Sequence, residues 1–100
     1  MKTNRKNASF RVTLYTEDMQ RDLLLIMSQD FFPDGCTFTA SKGFWEGTLE
    51  DSVAISVVGG ADLEERAIAF AKKINALNNQ DACMITCEPV TAWMITDIER

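Results

Sequence analysis

The sequence predicts one α+β domain with the element order β-α-β-β-α-β: an antiparallel sheet with both helices on one face and a short C-terminal β extension. Apolar and polar residues alternate in four stretches, which indicates half-buried strands. Two other stretches, one before and one after the middle pair of strands, repeat apolar residues at helical spacing. The 100 residues, 46% of them hydrophobic, suit a single globular domain.

The first strand and helix follow a polar N-terminal segment. Residues 1–9 show no periodicity and predict a flexible leader, so the domain is expected to span residues 10–98. Residues 10–15 alternate as a strand. Thr16 is the expected N-cap of an amphipathic helix over residues 17–30.

A β-hairpin is predicted next, with arms at residues 36–41 and 53–58. Small apolar residues on both faces of the second arm indicate a central strand. The connection at residues 42–47 reads KGFWEG, so it combines a cation, two glycines, two aromatic residues and an acid. This composition is unusual for a simple turn, and the segment is the leading candidate for a functional site.

The second helix is predicted over residues 61–78, and the last strand over residues 82–87. Pro89 is expected to interrupt that strand before residues 90–98 resume it as the terminal extension. The buried stripe of the helix is expected to comprise Ala67, Phe70, Ala71, Ile74 and Leu77.

The charge balance bears on partners and location. A net charge of −5 argues against a general DNA or RNA binder, because such binding depends on neutralising phosphates. The longest uninterrupted apolar run, residues 23–27, is too short to span a membrane. No apolar core of a secretion signal follows the leader, so a cytoplasmic protein is expected.

The residue inventory disfavours catalysis and metal binding. The chain has no histidine, which excludes His-based metal sites and triads. Its three cysteines are expected to be reduced apolar core residues, and no metal or cofactor is predicted. The carboxylates Glu46, Glu50 and Asp51 surround the predicted turn and are expected to be solvated. No nucleophile or phosphate-loop motif accompanies them, so the protein is expected not to be an enzyme.

The order of elements resembles the ferredoxin-like superfamily and, more narrowly, the small cytosolic PII-like regulators. It also resembles small uncharacterised bacterial and phage proteins in four runs: FPDGCTF at 32–38, GFWEG at 43–47, EERA at 64–67 and NNQ at 78–80. The PII-like resemblance implies an oligomer, typically a trimer, that binds nucleotide-like or other small anionic ligands in clefts between subunits. The long ligand-closing loop of nitrogen-regulatory PII proteins is replaced here by the short aromatic connection.

Ligand binding is expected mainly at the aromatic connection. Glycines allow close approach of a backbone, Lys42 supplies a positive charge, and an aromatic ring can stack on a base. The alternative is a turn whose aromatic residues only pack on the sheet edge or on another subunit. With two residues from the open face of the first strand, the candidate ligand-binding set is Lys42, Gly43, Phe44, Trp45, Gly47, Arg11 and Tyr15.

Two functions remain open at this stage. The first is a non-enzymatic homo-oligomer, dimer or trimer, that binds a small anionic ligand near a subunit boundary, with sequestration of a nucleotide signal as a phage counter-defence role. The second is an acidic interaction or inhibitor module that docks on a basic protein surface. Exposed apolar surface argues for self-association, with Trp93 and Ile95 as the expected interface residues.

Overall fold

The structure, a computed structural model, describes residues 6–95, with the backbone alone for residues 6–8. It contains four strands and two helices: β1 Lys6–Glu17, α1 Arg21–Phe31, β2 Thr37–Trp45, β3 Thr48–Gly59, α2 Leu63–Asn78 and β4 Met84–Trp93. The strands form one antiparallel sheet in the order β2-β3-β1-β4, with both helices on one face. The predicted ferredoxin-like α+β fold is confirmed.

The core lies between the helices and one face of the central strands. Val12 and Leu14 of β1 are fully buried and pair with Val57 and Ile55 of β3. From α2, Phe70 packs its ring against two aromatic rings at the end of α1, with centroid distances of 4.9 and 5.3 Å. Each such side chain stabilises the fold by about 1.5–3 kcal/mol through burial. The predicted stripe of α2 is thus confirmed as core-facing.

The β1–α1 connection differs from the expectation. Thr16 is a buried strand residue and not a helix cap, because β1 continues its pairing with β3 as far as Glu17 opposite Ser52. The Thr16 hydroxyl donates a hydrogen bond to Gln80 Oε1 at 3.0 Å instead. The helix begins later, after Gln20, whose φ is 50°.

The β2–β3 connection is shorter than expected. Only Glu46 and Gly47, with φ of 50° and 81°, lie between the strands, as in a type I′ turn. Lys42 to Trp45 are therefore strand residues at the end of β2, opposite Thr48 to Asp51 of β3. The aromatic segment is an extended ribbon and not a loop.

The last strand is continuous from Met84 to Trp93 and runs through Pro89. A proline is tolerated there because β4 is an edge strand. The predicted terminal extension therefore begins as a direct continuation of β4, and residues 96–98 lie outside the described part. Of the predicted leader, residues 1–5 also lie outside it, whereas residues 6–9 belong to β1.

The second face of the sheet carries no helix in the described part of the chain. Strand alternation places Arg11, Thr13 and Tyr15 there, together with Ser52 and Ser56 of β3. Among the described residues, no helix combines the length and apolar character needed to cross a membrane.

Candidate functional site

A cleft of about 410 Å³ lies where β1 ends, between the β2–β3 ribbon and the loop that leads into β4. We call it the hairpin cleft. Its lining comes mostly from the open face of the sheet. The lining residues are Tyr15, Thr16, Glu17, Ser41, Lys42, Gly43, Phe44, Trp45, Glu50, Ser52, Gln80, Asp81, Ala82 and Met84.

The floor of the cleft depends on Gly43. A Cβ atom at this position would lie 3.0 Å from Ser52 Oγ, closer than side chains normally approach. Ser52 lies on the neighbouring strand, on the same open face. Because Gly43 has no side chain, the Ser52 hydroxyl fits beside it and no side chain fills the bottom of the cleft at this position.

One wall of the cleft is held by a network of buried and half-buried amides. Gln80 Oε1 accepts hydrogen bonds from Thr16 Oγ1 and from Asn78 Nδ2, both at 3.0 Å. Gln80 Nε2 donates to the carbonyl oxygen of Ala82 at 2.8 Å and to Asn75 Oδ1 at 3.2 Å. Gln80 thus ties the loop before β4 both to α2 and to the end of β1.

Three exposed aromatic residues line the cleft: Tyr15 and Trp45 have their side chains on the open face of the sheet, whereas the side chain of Phe44 alternates to the opposite face of the ribbon. The exposed fractions are 39% for Tyr15, 50% for Trp45 and 76% for Phe44. Met84 lies directly across from Tyr15 on β4 and is also exposed. Exposed aromatic rings beside a glycine, which has no side chain to block a ligand, are suited to stack on a planar ring of that ligand.

The charges of the cleft are mixed. Lys42 forms an ion pair with Asp51, its direct partner across the ribbon. The hydrogen bond and the charge of Lys42 lower the pKa of the Asp51 carboxyl below its ordinary value. Three further carboxylates line the cleft, those of Glu17, Glu50 and Asp81, so its single lysine is outnumbered by acids.

The structure brings together five of the seven predicted ligand-binding residues and separates two. Tyr15, Lys42, Gly43, Phe44 and Trp45 all line the cleft. The exceptions follow from the strand register. Arg11 lies further along β1, where it forms an ion pair with Glu88 at 3.2 Å and borders a second groove of about 520 Å³. Gly47 lies in the β2–β3 turn, where its φ is 81°.

The predicted interface residues lie at the other end of β4 from the cleft. Trp93 pairs with the start of β1, whereas Met84 at the cleft pairs with Tyr15. Trp93 and Ile95 expose 53% and 65% of their surface. Their role in a subunit contact stays a prediction.

Sequence reasoning missed the contribution of the segment before β4. Gln80, Asp81 and Ala82 form a wall of the cleft although they are distant from the ribbon in sequence. Their only sequence signal is the run NNQ at residues 78–80, which ends a helix and offers several amides. Within the described residues, no group of three His, Cys, Asp or Glu side chains is placed to hold a metal ion.

Comparisons with known proteins support the fold. No protein-family model matches the sequence, and no curated protein matches it significantly. Solved structures do match. CPII from Thiomonas intermedia, a nitrogen-regulatory PII-like protein bound to ADP, AMP and bicarbonate, superposes with a TM-score of 0.66 at 8% identity, over 92% of this chain and 100% of that one.

Two further structures have the same fold. A phage SAM lyase in its apo state gives a TM-score of 0.66 at 14% identity, over 93% of this chain and 94% of that one. A protein of Thermus thermophilus described as a PII-like signalling protein gives 0.59 at 18% identity, over 87% and 90%. The chain therefore has the ferredoxin-like fold of PII-like proteins, and at these identities the similarity concerns the fold alone.

Proposed function

We propose that the protein binds a small molecule of the nucleotide class, with a planar ring and an anionic group, in the hairpin cleft. The observation that carries this proposal is the presence of two exposed aromatic side chains, Tyr15 and Trp45, on the open face of a cleft that Lys42 also lines. Stacking on an aromatic ring contributes about 1–3 kcal/mol per base. CPII is bound to ADP, AMP and bicarbonate, and its two nucleotides are ligands of this kind.

In this proposal, the anionic group of the ligand binds Lys42 by taking the place of the Asp51 carboxylate. Lys42 is held by Asp51, so an incoming anion has to replace that carboxylate as its partner. Both side chains are well exposed, and such surface pairs are weak and salt-sensitive. The ring supplies most of the affinity, while the lysine selects an anionic ligand.

In this proposal, the protein is a homo-oligomer and does not catalyse a reaction. Trp93 and Ile95 form a subunit contact in this proposal, because large apolar side chains with this exposure are typical of interfaces. Its biological role is to sequester a nucleotide signal, which in a phage would protect against a host defence that uses such a signal.

The test is calorimetric titration with ADP. Lys42→Met is expected to weaken binding by up to about fivefold, the contribution of an exposed ion pair, and Asp51→Asn to strengthen binding, because the lysine is then released from its partner. Lys72→Met and Asp30→Asn are matched controls, since these residues are exposed on α2 and α1 and lie outside the cleft. Equal affinities for all four variants, or no binding of ADP, AMP or another small anion to the wild type, would contradict the proposal and favour the acidic docking module.

A second candidate is a ligand with a positive charge beside its planar ring. Glu17, Glu50 and Asp81 line the cleft and would stabilise such a group. S-adenosylmethionine has this character, and one structural neighbour is a phage SAM lyase. For this candidate, Glu50→Gln weakens binding of S-adenosylmethionine and Asp51→Asn does not strengthen it. Consumption of the compound during the titration would show that the protein is an enzyme.

A further inference from the structure

The two edge strands of the sheet, β2 and β4, differ in how well they are protected against pairing with a strand of another molecule. Edge strands expose unpaired backbone groups, and natural proteins usually block them with proline, charge or a bulge. The β4 edge contains Pro89. The β2 edge has nine residues without proline, and its register against β3 is unbroken from Thr37 to Trp45. Its one charged residue, Lys42, is already ion-paired.

The outward-pointing backbone groups of β2 follow from the turn. The pair that closes a two-residue hairpin loop, here Trp45 and Thr48, is a hydrogen-bonded pair, and such pairs alternate along an antiparallel ladder. Odd-numbered residues of β2 therefore bond to β3. The N–H and C=O groups that point away from the sheet belong to Phe38, Ala40, Lys42 and Phe44.

The same alternation can be followed across the sheet to β4. Even-numbered residues of β1 bond to β3 and odd-numbered ones to β4, so the even-numbered residues of β4 point toward β1. Pro89 consequently occupies an outward position, where its missing N–H interrupts the edge. The chain blocks one edge of its sheet and leaves the other competent for pairing.

We propose that the β2 edge pairs with β2 of a second copy, antiparallel and about a two-fold axis at Ser41. This register overlaps the whole strand and places outward-pointing groups of the two copies opposite each other. Lys42 faces Ala40 of the second copy and not another lysine. Phe44, 76% exposed in the single chain, faces Phe38 of the second copy, which is a favourable cross-strand aromatic pair.

The dimer also extends the hairpin cleft. Gly43 and Trp45 line the cleft on the open face, and the proposed register places Thr39 and Thr37 of the second copy directly beside them. The second copy thereby supplies hydroxyl groups to the open side of the cleft. This extension rests on the proposed ligand-binding function, whereas the pairing of the strands does not.

The experiment measures particle mass by light scattering without ligand, so its result is independent of ligand binding. Wild-type protein is expected at twice the 11.2 kDa mass of the chain or a multiple of that. Ala40→Pro removes an outward N–H from β2 and is expected to halve the mass. Cys87→Pro, an exposed outward position on the β4 edge that is six residues away from Trp93, is the matched control and is expected to leave the mass unchanged. Circular dichroism checks that both variants fold.

A charge test keeps the backbone intact. Ala40→Lys places a second ammonium group opposite Lys42 of the other copy, in two symmetric pairs, and is expected to raise the dimer dissociation constant by roughly 2- to 30-fold. Ala40→Glu places a carboxylate there and is expected to lower it. A wild-type particle of 11.2 kDa, equal effects of the two charges, or dissociation by Cys87→Pro alone would overturn the proposal.

Discussion

Lys42 and Asp51 face each other directly across the β2–β3 ribbon and form an ion pair beside the hairpin cleft. The pair holds the single lysine of a cleft in which three other side chains are carboxylates. In the proposed binding mode, an anionic ligand therefore competes with Asp51 for Lys42. Because both side chains are more than half exposed, solvent and salt weaken this competition.

The ion pair predicts a titration that can be followed by NMR. The pKa of Asp51 is lowered by its hydrogen bond to Lys42 and then by the charge of Lys42, so Lys42→Met should raise it toward its ordinary value. A carboxyl with a lowered pKa stabilises the fold above its ordinary pKa, and this stability is lost as the pH falls through the lowered value. Lys72→Met is the control and should leave the Asp51 titration unchanged.

The wall of the cleft predicts a stability effect at Gln80. Gln80→Ala removes the acceptor for Thr16 and Asn78, and buried groups that lose a partner cost about 1–3 kcal/mol. Chemical denaturation should show this loss, and the loop before β4 should exchange its amide hydrogens faster. Gln29→Ala, at an exposed position of α1, is the control and should change stability by less than about 0.5 kcal/mol.

The elements of the fold that could be predicted were those that follow from the periodicity of apolar residues. Alternation of apolar residues fixed the strands because one face of each is buried, and the stripe around Phe70 fixed the second helix. The start of α1 was not predictable in this way. Thr16 has the chemistry of a helix cap, but long-range pairing with β3 keeps it in a strand, and a local signal cannot show such pairing.

The candidate site was predictable only where residues that are adjacent in the sequence are also adjacent in space. Lys42 to Trp45 are adjacent in the chain, and their composition alone marked them. Tyr15 joins them because β1 lies next to β3, and Gln80 joins them because α2 ends beside β1. Arg11 shares a face with Tyr15 but lies four residues away along a strand, roughly 13 Å, which is too far to reach the same cleft.

The type I′ turn predicts opposite effects at its two residues. Gly47→Ala forces a side chain into the left-handed region and should destabilise the protein by about 1–2 kcal/mol. Glu46→Asn should stabilise it, because asparagine adopts the φ of 50° found at Glu46 more readily. Melting curves distinguish the two, since 1 kcal/mol shifts the Tm of a domain of this size by about 4–8 °C. Equal shifts of the same sign would contradict the turn assignment.

The aromatic packing at the core predicts a large loss at Phe70. Phe70→Ala should cost about 3–5 kcal/mol, because the ring is fully buried against Phe31 and Phe32, and Phe70→Asp should unfold the domain. Phe44→Ala is the matched control, since its ring is 76% exposed and should contribute little to folding of the single chain. Urea denaturation of the three variants would measure these effects.

The cysteines predict an ordered reaction with thiol reagents. Cys87 is exposed, whereas Cys83 is partly buried against the core, and this burial raises the pKa of its thiol to about 11. Because the thiolate is the reactive form, Cys83 should react slowly at pH 8 and Cys87 fast. Cys87→Ser should remove the fast phase, and Cys83→Ser should leave it intact.

A raised pKa also means that Cys83 stabilises the fold below its ordinary pKa of 9.0, and that this contribution is lost as the pH rises from 9.0 to about 11. Cys83→Ser should therefore flatten the decline of the Tm over that interval, and an unchanged decline would contradict the burial of this thiol.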